Sequence, residues 1–274
     1  MAARRAENLR SYQEVDEIII RLEFLSPVLF GEKATQYWRV PSDTLFRGII
    51  NAVVRLFGPH RLNVIYDRAC EIALSSLLPI KNEKFFIPNF GFRAYVTPDE
   101  SDILDPTELL ETYTMVRIPR IEGYEPEPFT YNMLLTTKIQ WGIMLKAPPE
   151  IMSILIPAVR LLGELGIGAR KSRGFGKFRV LSVHSPNEYG INLSFKEGIL
   201  ASRYMPIRWE EVKGREIHME EFTVTFGPKL RYTFRAVAEG SKLTKVDQGK
   251  LLFVKNELGH RVPIFLRPLL LLPR

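Results

Sequence analysis

Residues 163–179 read Gly-Glu-Leu-Gly-Ile-Gly-Ala-Arg-Lys-Ser-Arg-Gly-Phe-Gly-Lys-Phe-Arg. From Gly166 to Arg179 they hold four glycines, five basic residues and no acid. Glycine lets a backbone take positive φ and approach another backbone closely. Arginine presents a planar fork matched to phosphate oxygens. Together Gly166, Gly168, Arg170, Lys171, Ser172, Arg173, Gly174, Phe175 and Lys177 describe a flexible, cationic loop able to follow a polyanion. The same residues also suit a solvated basic turn whose glycines merely end a helix.

Three well-characterised loops are excluded by spacing. In a P-loop, glycine precedes Lys-Ser, whereas here Arg170 precedes Lys171-Ser172. In a dinucleotide-binding turn a third glycine falls three residues after the second, where this chain has Lys171. That turn also leads from strand to helix, and this segment leads from helix to strand. The helix therefore presents its negative C-terminal end, and the side chains must supply the attraction for phosphate. Arg173-Gly174-Phe175-Gly176 fits the first four positions of the RNA-recognition octamer, but Lys177, Phe178 and Val180 miss the rest. Phe175 is then either a stacking platform or, as we favour, a core plug beneath the loop.

No catalytic constellation accompanies the loop. His60, His184, His218 and His260 are scattered without metal-ligand spacing, and no metal is expected. Asp99, Asp102 and Asp105 lie in a Pro- and Ser-containing turn that suits helix capping. No Gly-x-Ser-x-Gly elbow or His-Glu-x-x-His is present. No cofactor is expected either.

The elements that position the loop are legible from periodicity. Residues 18–25 alternate, with Ile18, Ile20, Leu22 and Phe24 on one face, and predict a half-buried strand. Pro41-Ser42-Asp43-Thr44 offers an N-cap to a helix that carries Leu45, Phe46, Ile49, Ile50, Val53, Val54 and Phe57 on one side and stops at Gly58-Pro59. A second amphipathic stretch, 62–78, reads as helix. Short β-like runs follow at 84–87, 92–96 and 112–118. Residues 122–129 read as an exposed hairpin tip or loop. Residues 138–145 alternate as a strand, and an apolar helix runs from Pro148-Pro149 to near Leu165, with a kink or late start expected at Pro157. Residues 176–184 predict another strand. Beyond Pro186, runs at 191–195, 222–226, 230–238, 250–254 and 263–272 predict strands and no long helix. The expectation is an α+β chain: an elaborated ferredoxin-like βαββαβ module at 1–185 and a smaller β-rich domain at 186–274.

A chain of 274 residues with 46% hydrophobic and 25% charged residues is an ordinary globular one, of about two domains. Cys70 is the only cysteine, which excludes a disulfide framework and a Cys-based zinc site. The net charge of +7 permits a nucleic-acid partner without establishing one. No apolar run approaches the length of a membrane span, and Arg4, Arg5 and Arg10 with Glu7 make no export signal, so a cytoplasmic protein is expected.

Residues 166–178 resemble the glycine-rich loop of the RAMP superfamily of CRISPR proteins. Pro-Ser-Asp-Thr-Leu-Phe (41–46) looks like the start of the first helix in one branch, the fourth Csm subunit of type III-A effector complexes (the Cas5-like group). Val116-Arg117-Ile118-Pro119-Arg120-Ile121, followed by residues 129–131, is similar to that branch's central basic segment. The resemblance spans 18–184 and is loose in the tail. It implies a non-catalytic RNA-binding subunit that grips the 5′ tag of CRISPR RNA (crRNA), docks the large Csm subunit with its palm and HD domains, and contacts the RAMP backbone subunit. It implies a ferredoxin-like domain with a degenerate second one. Arg170, Lys171, Ser172 and Arg173 would face RNA, and Ser42 sits where the first helix meets the loop. Arg47, one turn into that helix, and Arg117 and Arg120 on a strand with one wet face are further RNA candidates. A catalytic role is not carried over to Asp43. The rival is a CRISPR-repeat endoribonuclease processing precursor crRNA. Such enzymes place a histidine near the first helix, and this chain has none before His60.

Overall fold

The computed structural model describes residues 17–29, 40–89, 94–117, 125–134, 139–194, 196–226 and 230–273. β1 (Glu17–Phe24) is the expected strand. Its Ile18, Ile20, Leu22 and Phe24 enter the main core, as period-two alternation requires. After β2 (Val28–Leu29), α1 (Ser42–Phe57) buries Leu45, Phe46, Ile49, Ile50 and Val53 along one side.

The stretch expected as one helix over 62–78 is instead α2 (Arg61–Asp67) followed by β3 (Ala73–Leu74) and β4 (Leu78–Lys81). Residues 72–78 are buried throughout, so their apolar side chains carry no helical polarity. β5 (Lys84–Phe85) returns on β4 through Asn82 and Glu83, both at positive φ. β6 (Ile87–Asn89), β7 (Ala94–Val96) and β8 (Ile103–Leu104) make a small sheet. β9 (Leu110–Arg117) and β10 (Glu127–Leu134) form a long hairpin extended by β2. β10 therefore takes up the last residues of the stretch expected as a loop.

β11 (Gln140–Lys146), α3 (Pro149–Leu165) and β12 (Phe178–His184) complete the first unit. α3 starts at Pro149 and runs through Pro157 without interruption, so the expected late start does not occur. The main sheet runs β12-β1-β11-β4-β5, with β3 alongside β11 and every pair antiparallel. α1 and α3 pack on its inner face, where Leu162 of α3 lies against Gly48 of α1.

The remainder is strand with short 3-10 turns. β13 (Ile191–Ser194), β14 (Gly198–Leu200) and β15 (Lys213–Glu216) are followed by the hairpin of β16 (Met219–Phe226) and β17 (Leu230–Val237). After β18 (Lys242–Lys245), a second hairpin joins β19 (Lys250–Lys255) to β20 (Arg261–Leu266), and β21 (Leu270–Pro273) ends the described chain. The five-stranded sheet runs β13-β21-β14-β18-β15. The single strand expected at 263–272 is broken at 267–269, where the Leu269 N–H donates to Ser202 Oγ at 2.9 Å. The two units share a core: Ile19, Ile80 and Met144 pack with Ile191, Leu193 and Leu271. Phe46 stacks on Phe265 with ring centroids 4.3 Å apart.

Candidate nucleic-acid interface

The glycine-rich segment links the C-terminal end of α3 to β12 and lies along residues 25–29. Composition describes it as flexible, but its backbone is tied down at many points. Ile167 N–H donates to Gly176 O at 2.9 Å, Ala169 N–H to Leu29 O at 2.8 Å, Gly176 N–H to Pro27 O at 2.9 Å and Leu25 N–H to Lys177 O at 2.8 Å. Ser26 Oγ donates to Gly174 O at 2.6 Å and accepts from Lys177 N–H at 3.0 Å.

Glycine is required at two of these contacts. At Gly176 (φ +71°) a Cβ would lie 1.8 Å from Ile167 O, and at Gly168 (φ +84°) 2.7 Å from Leu29 O. No side chain fits between backbones so close. Beneath the loop, Phe175 is buried with Leu29, against Met115 and Ala169. The ring is therefore a plug, and its assignment as an RNA-contacting side chain is corrected: it shapes the loop from below.

Over this base the polar residues face solvent. Arg170, Lys171, Ser172, Arg173 and Lys177 are exposed, and 171–173 form one 3-10 turn entered through Arg170 in the left-handed region at φ 54°, ψ 32°. Lys171, Arg173 and Lys177 form no ion pair with any described carboxylate, whereas Arg179, next along the chain, is paired with Glu23 at 2.6 Å. The unneutralised charge thus concentrates on the loop rather than along the strand that follows it.

The loop neighbours the β9–β10 hairpin through Met115. Arg117 ends β9 two residues beyond Met115, opposite Glu127. Arg120 lies outside the described residues.

Ser42 and Arg47 are placed otherwise than expected. Pro41, not Ser42 or Asp43, occupies the N-cap position of α1, and no side chain caps the helix. Ser42 is wholly buried: its N–H donates to Ser76 Oγ and its Oγ accepts from Arg203 N–H, both at 3.0 Å. It therefore has no surface to offer RNA, and that assignment too is corrected. Arg47 is turned back on its own helix, with Nη2 3.1 Å from both Asp43 Oδ2 and Thr44 Oγ1.

Sequence reasoning missed the cluster these residues belong to. Arg203, 3% exposed, donates to Asp43 Oδ1 at 2.7 Å and to Glu220 Oε1 at 2.6 Å, and its guanidinium lies 3.9 Å from the centroid of the Phe222 ring. Burial pushes the Arg203 pKa down, but the charges of Asp43, Glu220 and Glu239 push it up further, leaving it above the ordinary value. Ser76 Oγ, which receives Ser42, in turn donates to Glu239. This polar joint fastens the N-terminus of α1 to the second unit. The one available signal was Arg203 standing inside the otherwise compact run Leu-Ala-Ser-Arg-Tyr-Met.

Among the described residues, no group of His, Cys, Asp and Glu is arranged to hold a metal, and no helix is long and apolar enough to cross a membrane.

No protein-family model and no curated protein matches the sequence. Likeness appears in three dimensions, over both units. The chains it resembles in fold come from type III-A CRISPR-Cas assemblies. One, from the crystal structure of the Csm3–Csm4 subcomplex of the type III-A CRISPR-Cas interference complex, matches at TM-score 0.64 and 14% identity, covering 95% of this chain and 99% of that one. Another, from the Csm1–Csm4 cassette in complex with cA3, matches at TM-score 0.59 and 18% identity, covering 94% and 98%. The same cassette in complex with cA4 gives TM-score 0.54 at 16% identity, covering 94% and 99%. Csm4 is the component common to these assemblies, and the present chain is Csm4-like in fold.

Proposed function

We propose that this chain is a non-catalytic, cytoplasmic RNA-binding subunit of a type III-A CRISPR effector complex. It grips the 5′ tag of crRNA and docks both the large, polymerase-like subunit and the RAMP backbone subunit. The observation that carries this reading is the pinned loop whose exposed Lys171, Arg173 and Lys177 have no described acidic partner. Such a surface attracts phosphate by charge and holds a fixed outline against it, which suits recognition by shape while base pairing elsewhere reads sequence. Gly166, Gly168 and Gly174 supply the backbone path, Arg170 and Ser172 add donors, and Arg117, at the end of β9, and Arg120 are further RNA candidates from the sequence. The strand order fourth-first-third-second in the main sheet supports a ferredoxin-like first unit, and the all-strand remainder supports a degenerate second one.

The test is co-expression of the full chain with the large subunit, the backbone subunit and a short tagged RNA, followed by ultraviolet crosslinking and mass spectrometry of the purified assembly. RNA adducts within 166–179 are expected. An assembly that excludes this chain, or adducts confined to other surfaces, contradicts the proposal. Specific cleavage of repeat RNA by the pure chain without metal would replace it with the endoribonuclease reading.

A further inference from the structure

We propose that Ser26 is a positioning residue for RNA binding, an inference that rests on the loop reading given above. Ser26 lies outside the loop, in the turn between β1 and β2, and is half-buried. Its one hydroxyl spans the loop tip, donating to Gly174 O at 2.6 Å and accepting from Lys177 N–H at 3.0 Å. Arg173 and Lys177, two of the cations without a described acidic partner, sit at the two ends of the span so closed. Packing does not hold that corner: a Cβ on Gly174 would meet nothing within 4 Å. Within the span Phe175 is buried below, Gly176 is bonded to Ile167 and Pro27, and Lys177 O accepts from Leu25 N–H; Ser26 adds a side-chain link that ties Gly174 to Lys177 directly. Ser26 is uncharged and offers no attraction for phosphate of its own. Its contribution is to fix the separation at which the Arg173 guanidinium and the Lys177 ammonium meet the sugar-phosphate chain, which removes a cost of ordering them on binding.

The experiment uses the full chain and a short labelled single-stranded RNA, with binding measured for Ser26→Ala, Ser26→Thr, Arg173→Ala and the Ser26→Ala/Arg173→Ala double variant. Hydrogen exchange is followed at the amides of 170–178. Ser26→Ala is expected to weaken binding about tenfold, the scale of two lost hydrogen bonds, with faster exchange at Lys177. Ser26→Thr, which restores the hydroxyl, is expected to bind within about twofold of the wild type. In the double variant the loss due to Arg173→Ala should shrink, because a displaced arginine has less to lose. If Arg173→Ala weakens binding while Ser26→Ala does not, or if the two losses simply add, the role of Ser26 is refuted and the loop reading stands. If Arg173→Ala and the other loop variants bind as the wild type does, the loop reading itself falls, and this inference with it.

Discussion

The chain uses arginine in two opposite ways. At the joint between the units, Arg203 is buried, and Asp43 and Glu220 neutralise it through hydrogen bonds of 2.7 and 2.6 Å. At the loop, Arg173 stands exposed on a turn fixed by backbone bonds, without a described carboxylate to meet it. A buried cation carries a desolvation penalty, and at Arg203 two acids offset it. An exposed one carries little penalty and remains available to a charged ligand. Where the acids sit therefore separates Arg203 from Arg173 more sharply than the density of arginine along the sequence does.

The largest effect should come from the joint. Arg203→Ala leaves Asp43 and Glu220 buried without their shared partner, and chemical denaturation should register a loss of about 3–5 kcal/mol. Any protein that remains folded should keep the salt dependence of RNA binding, because the loop is untouched. A variant as stable as the wild type would show that the joint is ornamental. Next in size is Phe175→Ala, which removes the plug: about 3 kcal/mol is expected in a melt, accompanied by weaker RNA binding. Full binding with the plug removed would divorce the loop's shape from its use.

Gly176→Ala is smaller in atoms but sits where φ is +71° and a carbonyl oxygen occupies the space for a Cβ. It should cost at least about 1–2 kcal/mol for the backbone alone, and hydrogen exchange across 167–176 should report the disturbed contact. Arg173→Ala should be the mildest for stability, within about 0.5 kcal/mol. It should nevertheless lower the slope of log affinity against log salt by about 0.7, a phosphate contact's worth on a single strand. A loop variant that unfolds the chain and leaves the slope alone would invert the contrast with Arg203.

The legibility of the two regions differs for the same reason. The loop's cations and glycines lie close together in sequence, so 166–179 stands out as a candidate from the sequence alone, and β1, α1, α3 and β12 are legible because their apolar residues form long regular runs. Asp43 and Arg203 are 160 residues apart, and nothing local tells an N-terminal helix acid that its partner lies in another unit. Ser42 and Asp43 looked like caps because cap residues are small and polar, and buried hydrogen-bonded joints use the same types. Residues 72–78 were misread as the end of a helix because burial on both faces removes the alternation that identifies a strand. β14, β15 and β18 escaped notice because three or four residues are too few to show a period. Ser26 gave no signal at all: a lone serine after a strand is ordinary, and its meaning comes from Gly174 and Lys177 being folded back against it.

The most direct measurement is the salt dependence of single-stranded RNA binding by the full chain and by its Lys171→Ala/Arg173→Ala/Lys177→Ala variant, with thermal melts run in parallel. Three phosphate contacts at about 0.7 each give an expected fall in slope of about 2, with an unchanged melting temperature. An identical slope in the two proteins would contradict the assignment of this loop to the RNA.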